Sequence, residues 1–235
     1  MALPFYVSPE QLMKDRAEYA RKGIARGRAL VALEYADGVV FVGENPSRSL
    51  YKTSEIYDRI AFASVGKYNE FESLRVSGIR LADVKGYQYG REDVTAKSLA
   101  NAYSQALGAI FMGDGKPFEV EILIAQVSGD ASSGVNGDGT TELYHILYDG
   151  SIVDEHRFVA IGGESDELAG ALQSRYEEAM PLERAVEIGS SVLAGAAKRE
   201  IPPGDLEVSG LSHQRPRRKF FRIDEDAIAE MVART

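Results

Sequence analysis

The chain has 235 residues, 44% hydrophobic and 27% charged, with 27 Lys and Arg against 36 Asp and Glu for a net charge of −9. That composition fits one globular unit with a sizeable core, and the acidic balance argues against nucleic acid or an anionic membrane as a partner. With no cysteine there is no disulfide framework, thiolate metal site or cysteine nucleophile, and no run approaches the roughly 18 apolar residues of a membrane span.

Residues 1–7 are apolar but lack the basic start and cleavage site of a signal peptide, so the expected location is cytoplasmic. Ser8-Pro9-Glu10-Gln11 reads as a helix start, with Ser8 as cap and Gln11 placed as in a capping box. The helix is expected over residues 9–26. Its apolar stripe of Leu12, Tyr19 and Ile24 is thin, so it needs neighbours, another chain included. The period then becomes two from Ala29 to Tyr35 and from Val39 to Gly43, giving a β-hairpin around an Asp37-Gly38 turn.

Further strands are expected at 54–57, 60–65, 119–127, 142–148, 152–160 and 206–211, with a second hairpin turn at Asp149-Gly150. Helical spacing returns in two pairs, 68–84 with 95–111 and 165–180 with 182–199, and a short helix closes the chain at 224–234. Residues 128–140, rich in Gly, Ser and Asp, read as an exposed loop. The basic cluster at 215–219 reads as a solvated turn ahead of the strand-like Phe220-Phe221-Arg222-Ile223. Helix pairs separated by groups of strands, with no linker between, predict one α+β domain in which helices flank two antiparallel sheets.

The order of elements resembles a proteasome subunit, and particular residues support it. Ser8-Pro9-Glu10-Gln11 followed by Glu18-Tyr19-Ala20 is similar to the elements that open the amino-terminal helix of α-type subunits. The stretch from Gly27 to Glu44, Ser47-Arg48-Ser49, Tyr57-Asp58-Arg59-Ile60 and Ala160-Ile161-Gly162-Gly163 continue the likeness along nearly the whole chain. The resemblance implies a four-layer αββα sandwich of the N-terminal-nucleophile hydrolase class, spanning residues 1–235 with a gate segment at 1–7, the α-type helix at 9–26 and the sandwich at 28–235. It implies a subunit of a bacterial core particle, arranged in seven-membered homomeric rings that cap rings of catalytic β subunits. The further partners it implies are a ring-shaped ATPase or other activator, which docks through its carboxy-terminal tails, and protein substrates.

Catalytic members of the family use a first-residue threonine whose amine serves as base for its own hydroxyl. Here Arg28 and Ala29 occupy that position, neither with a hydroxyl, and Glu44 stands in place of the family's active-site aspartate. No catalytic residue, cofactor or metal ligand is therefore assigned. His145, His156 and His213 have no paired ligand spacing, residues 128–140 lack the Lys-Ser/Thr of a phosphate loop, and Asp224-Glu225-Asp226 fits a helix start.

By resemblance, Leu3, Pro4, Phe5, Tyr6 and Val7 form the gate over the axial pore, although the Tyr-Asp-Arg triplet of archaeal and eukaryotic relatives is missing. Leaving such a segment in water is unfavourable by about 25 cal/mol per Å². Lys52 is the expected cation of an intersubunit pocket for an activator's terminal carboxylate, with Arg59 as its rival, and Glu18 and Gly27 occupy the places of the other pocket residues. Two alternatives remain at this stage, a catalytic hydrolase subunit of the same fold and a monomeric binding domain.

Overall fold

A computed structural model describes residues 8–128 and 140–233. β1 (Leu30–Tyr35) and β2 (Gly38–Glu44) pair antiparallel with Tyr35 opposite Gly38, so the turn falls on Ala36 and Asp37, one residue earlier than expected. Gly38 has φ +150°, and a Cβ there would lie 2.1 Å from the Leu211 carbonyl oxygen. The glycine therefore serves close strand packing as well as the turn.

β8 (Phe158–Ile161) lies on the other side of β1, and β9 (Leu206–Ser212) and β10 (Phe220–Ile223) extend the sheet beyond β2, giving the order β10-β9-β2-β1-β8. The second sheet runs in sequence order: β3 (Thr53–Tyr57), β4 (Ile60–Gly66), β5 (Val120–Val127), β6 (Thr141–Ile146) and β7 (Ile152–Glu155). The expected single strand over 152–160 is thus two strands in different sheets. Arg157, at φ +71°, turns the chain between them. Its amide donates to Glu34 Oε1 and its carbonyl accepts from the Glu34 amide.

Alternation along each strand creates three apolar layers. Leu30, Ala32 and Phe41 meet Ala63, Leu123 and Ala125 between the sheets. On the outer face of the first sheet, Val31, Leu33 and Val42 pack under α4 (Ser165–Arg175), α5 (Leu182–Ala197) and α6 (Glu225–Val232). On the second, Phe62, Ile122 and Ile124 pack under α2 (Tyr68–Gln88) and α3 (Ala96–Met112). The result is the αββα sandwich expected from the sequence. α4 stops five residues before the expected end because Tyr176 turns extended, and Met180 instead enters the core under the first sheet.

α1 (Pro9–Ile24) lies outside these layers and packs on β4 and β5. Ser8 caps it by accepting from the Gln11 amide, but the Gln11 side chain binds Asp15 rather than closing the capping box. Ala20 and Ile24 bury against Tyr148, and Arg16 donates to the Phe111 carbonyl at 2.8 Å. Leu12 and Tyr19 remain about half exposed, which is the thin stripe seen in the sequence. The basic cluster is only partly solvated: Lys219 is buried, donating to the carbonyls of His213 and Arg215, and Arg218 pairs with Glu55. No described helix is long and apolar enough to cross a membrane.

Candidate functional site

The segment joining β2 to β3 is folded on itself by its own side chains. Asn45 Oδ1 accepts from the Ser47 amide, Ser47 Oγ accepts from the Leu50 amide at 3.1 Å, and Asn45 Nδ2 donates to the Leu50 carbonyl at 2.8 Å. These local bonds satisfy a short polar loop without regular structure. They deliver Tyr51 and Lys52 to one end of the sandwich.

Lys52 is half-buried, and its Nζ donates to the carbonyl of Arg28, directly after Gly27. Burial pulls its pKa down to about 8, a shift that the Glu207 carboxylate opposes and the Arg28 guanidinium reinforces. Gly27 is a point of close approach: a Cβ there would sit 2.9 Å from Val65 Cγ1 and 3.0 Å from the Ile24 carbonyl. Helix α1 ends at Ile24, and the Gly27 amide donates to the Ile24 carbonyl at 2.8 Å, so Gly27 closes the turn after the helix and leads into β1.

Of the residues singled out in the sequence, Lys52 and Gly27 are brought together. Glu18 is exposed on α1 and pairs with Lys22 at 2.6 Å, which holds its carboxyl below the usual value. Arg59 sits elsewhere, in the turn between β3 and β4; five residues of extended chain, about 17 Å, separate Lys52 from Tyr57 at that turn. Its Nη2 donates to the carbonyls of Glu92 and Val94, at 2.8 and 3.4 Å. Leu3, Pro4, Phe5, Tyr6 and Val7 lie outside the described residues.

The start of β1 holds a salt-bridge cluster. Glu44, almost wholly buried, accepts from Arg199, and the Arg28 guanidinium pairs with the same carboxylate oxygen. A carboxylate held this way is a structural anion. It has no neighbouring hydroxyl or thiol at position 28 or 29 to activate. Arg199 comes from just past α5, 155 residues from Glu44, and nothing in its local sequence marks it.

Sequence reasoning also missed Glu207. This buried carboxylate on β9 accepts from the Lys52 amide at 2.9 Å, the Thr53 amide at 3.0 Å, the Thr53 hydroxyl, Asn45 Nδ2 at 2.6 Å and Arg222 Nη1 at 2.9 Å. Burial pushes its pKa up, but these donors outweigh that and hold it below the ordinary carboxylate value. A cavity of about 410 Å³ opens beside this network, walled by Tyr51, Arg222, Arg48 and Glu225 among others. The only available hint was a glutamate inside a strand otherwise made of apolar and small residues. No cluster of His, Asp and Glu among the described residues could hold a metal ion.

A sequence model of the family described as "Proteasome subunit" matches residues 24–209, and so begins only at the last residue of α1. Whole-chain relatives supply the rest. The chain is 52% identical to a protein named proteasome subunit alpha from Kineococcus radiotolerans, over 243 aligned positions covering all of both chains. It is 54% identical to one so named from Streptomyces coelicolor, covering 95% of this chain and 87% of the relative. A third, from Thermobifida fusca, is 50% identical over 99% of this chain and 91% of the relative.

Proposed function

The chain belongs to the proteasome subunit family, among its bacterial α-type members, and from that premise we propose that it gates the core particle and docks its activators. Copies assemble into a heptameric ring stacked on rings of β subunits, and the β subunits carry out threonine-type proteolysis. Residues 3–7 close the axial pore. Apolar surface available for such assembly includes Leu12 and Tyr19 on α1 and Leu81, Val84 and Tyr87 on α2, with Tyr87 93% exposed.

The observation that carries the docking half is Lys52. Its ammonium is anchored to the Arg28 carbonyl at the end of the sandwich and remains only half-buried. An incoming terminal carboxylate would gain a charge-assisted hydrogen bond there, worth roughly 1.5–3 kcal/mol. Arg59 is the weaker choice, because its outer nitrogen already serves two carbonyls.

The test is Lys52→Ala in the assembled particle. Basal peptide hydrolysis should be unchanged while stimulation by the cognate ATPase ring is abolished; full stimulation would transfer the role to Arg59. Deleting residues 1–7 should raise basal hydrolysis without any activator, and an unchanged rate would refute gating by that segment.

A further inference from the structure

We infer that Glu207 is the positioning residue of the Lys52 pocket: its buried carboxylate clamps the backbone at Lys52 and Thr53 and so fixes where the Lys52 ammonium is presented. The inference rests on the docking role of Lys52 and extends it to a residue 155 positions away in sequence.

The geometry separates this arrangement from an ordinary buried ion pair. One carboxylate oxygen of Glu207 accepts from Thr53 N, Thr53 Oγ1 and Arg222 Nη1, and the other from Lys52 N and Asn45 Nδ2. Both ends of the folded segment, Asn45 and Thr53, thus converge on one group, and Lys52 is held between them. Arg222 completes the clamp by donating from Nη2 to the Thr53 carbonyl at 2.9 Å, while its guanidinium stacks 3.9 Å from the centre of the Tyr51 ring. Ser209 Oγ donates to Thr53 Oγ1 at 2.7 Å from two residues further along β9. The docking lysine is therefore braced from β9 and β10, near the end of the chain.

The charges around Lys52 set the sign of the effect. Glu207 on β9 favours the ammonium, Arg28 ahead of β1 disfavours it, and burial disfavours it further. Glu44 on β2, itself bound by Arg28 and Arg199, partly offsets the Arg28 charge, and Arg222 on β10 partly offsets that of Glu207. Removing the Glu207 charge alone should make Lys52 a weaker base. Loosening the loop should do the opposite, because a solvated lysine returns toward 10.5.

The experiment is pH-dependent acetylation of Lys52 in the assembled particle by acetic anhydride, read by mass spectrometry with exposed Lys14 as internal standard. Glu207→Gln preserves size and removes the charge. The expected result is faster hydrogen exchange at the Lys52 and Thr53 amides, together with a moved Lys52 midpoint, down where the lost charge dominates and up where the freed loop solvates the lysine. Exchange at wild-type rates at both amides overturns the inference. Should Glu207→Gln fail to assemble, Glu207→Asp keeps the charge and withdraws the carboxylate by one carbon. It should still accelerate exchange at both amides; wild-type exchange at both would overturn the inference. Because acetylation needs no activator, a negative result here leaves docking by Lys52 standing, whereas unchanged stimulation in Lys52→Ala refutes docking whatever Glu207 does.

Discussion

The paired arginines on Glu44 make a quantitative demand on stability. Both pair with the same carboxylate oxygen, and each guanidinium side chain is nearly half exposed, 45% for Arg28 and 46% for Arg199, while the Glu44 side chain is only 9% exposed. Removing one arginine leaves the carboxylate paired, so Arg28→Ala or Arg199→Ala alone should cost about 1 kcal/mol, the scale of a partly solvated ion pair. Removing both strands a buried charge, which costs about 3–5 kcal/mol. The double-mutant cycle should therefore show a coupling of roughly 1–3 kcal/mol, with the double variant worse than the sum of the singles. For a domain of this size about 1 kcal/mol corresponds to roughly 2–4 °C in Tm. The single variants should then melt about 2–4 °C low and the double about 6–20 °C low, by calorimetry of the purified protein at one fixed concentration. Additive shifts would mean that the two guanidiniums act independently, and the shared-anion account of the β1 start would be wrong.

His145 is partly buried between Glu121 and Glu155, each 3.7 Å away; desolvation lowers its pKa, but the two carboxylates outweigh this and raise it to about 9. The folded state thus holds this proton more tightly than the unfolded chain, so the stabilisation is complete below pH 6.5 and is lost as pH rises through 9. It is on the order of 3 kcal/mol, and urea melts from pH 6.5 to 8 should show a decline that His145→Gln removes. Lys52 works in the opposite sense above pH 8, where loss of its charge relieves the folded state, so the declining limb is read below that pH. Gly38→Ala should destabilise by about 2 kcal/mol or more, since its φ of +150° and the Leu211 carbonyl both exclude a Cβ; a Tm within 1 °C of wild type, on the scale of roughly 2–4 °C per kcal/mol, would contradict that geometry. The Tyr103 hydroxyl is buried with no hydrogen-bond partner among the described residues, so Tyr103→Phe should be neutral or stabilising by up to about 1 kcal/mol in the same melts.

What was legible in the sequence follows from how local each cause is. The β1–β2 hairpin and the outer helices are written in periodicity, and they appear close to where that periodicity places them. The strand expected over 152–160 failed because the chain changes sheets at Arg157, a non-glycine residue at positive φ stabilised by Glu34 from a distant strand. The end of α4 failed for a similar reason: Tyr176 leaves the helix without a glycine or proline to mark the exit, and Met180 gains core packing by doing so. Lys52 and Gly27 could be marked through resemblance because they lie in recognisable stretches. Glu207, Arg222 and Arg199 could not, since their meaning is a contact across more than 150 residues with the β2–β3 segment or the end of β2.

On the proposed docking role, these long-range contacts give this end of the sandwich a use that needs no nucleophile. On the threonine-type chemistry proposed for the β subunits, the catalytic first residue needs a free amine, so nothing can precede it. Here α1 precedes β1, and the chain through Gly27 and Arg28 is continuous. Arg28 then does two jobs with separate atoms: its guanidinium neutralises Glu44, and its carbonyl receives Lys52. The backbone job survives any side chain at position 28, whereas the electrostatic job does not. Arg28→Ala should consequently spare the Lys52 hydrogen bond, relieve the repulsion on the Lys52 ammonium and raise its acetylation midpoint, while lowering stability through Glu44. A single variant that strengthens the docking cation and weakens the fold would separate the two roles; a fall in both midpoint and stability would show that Lys52 depends on the Arg28 side chain for its position.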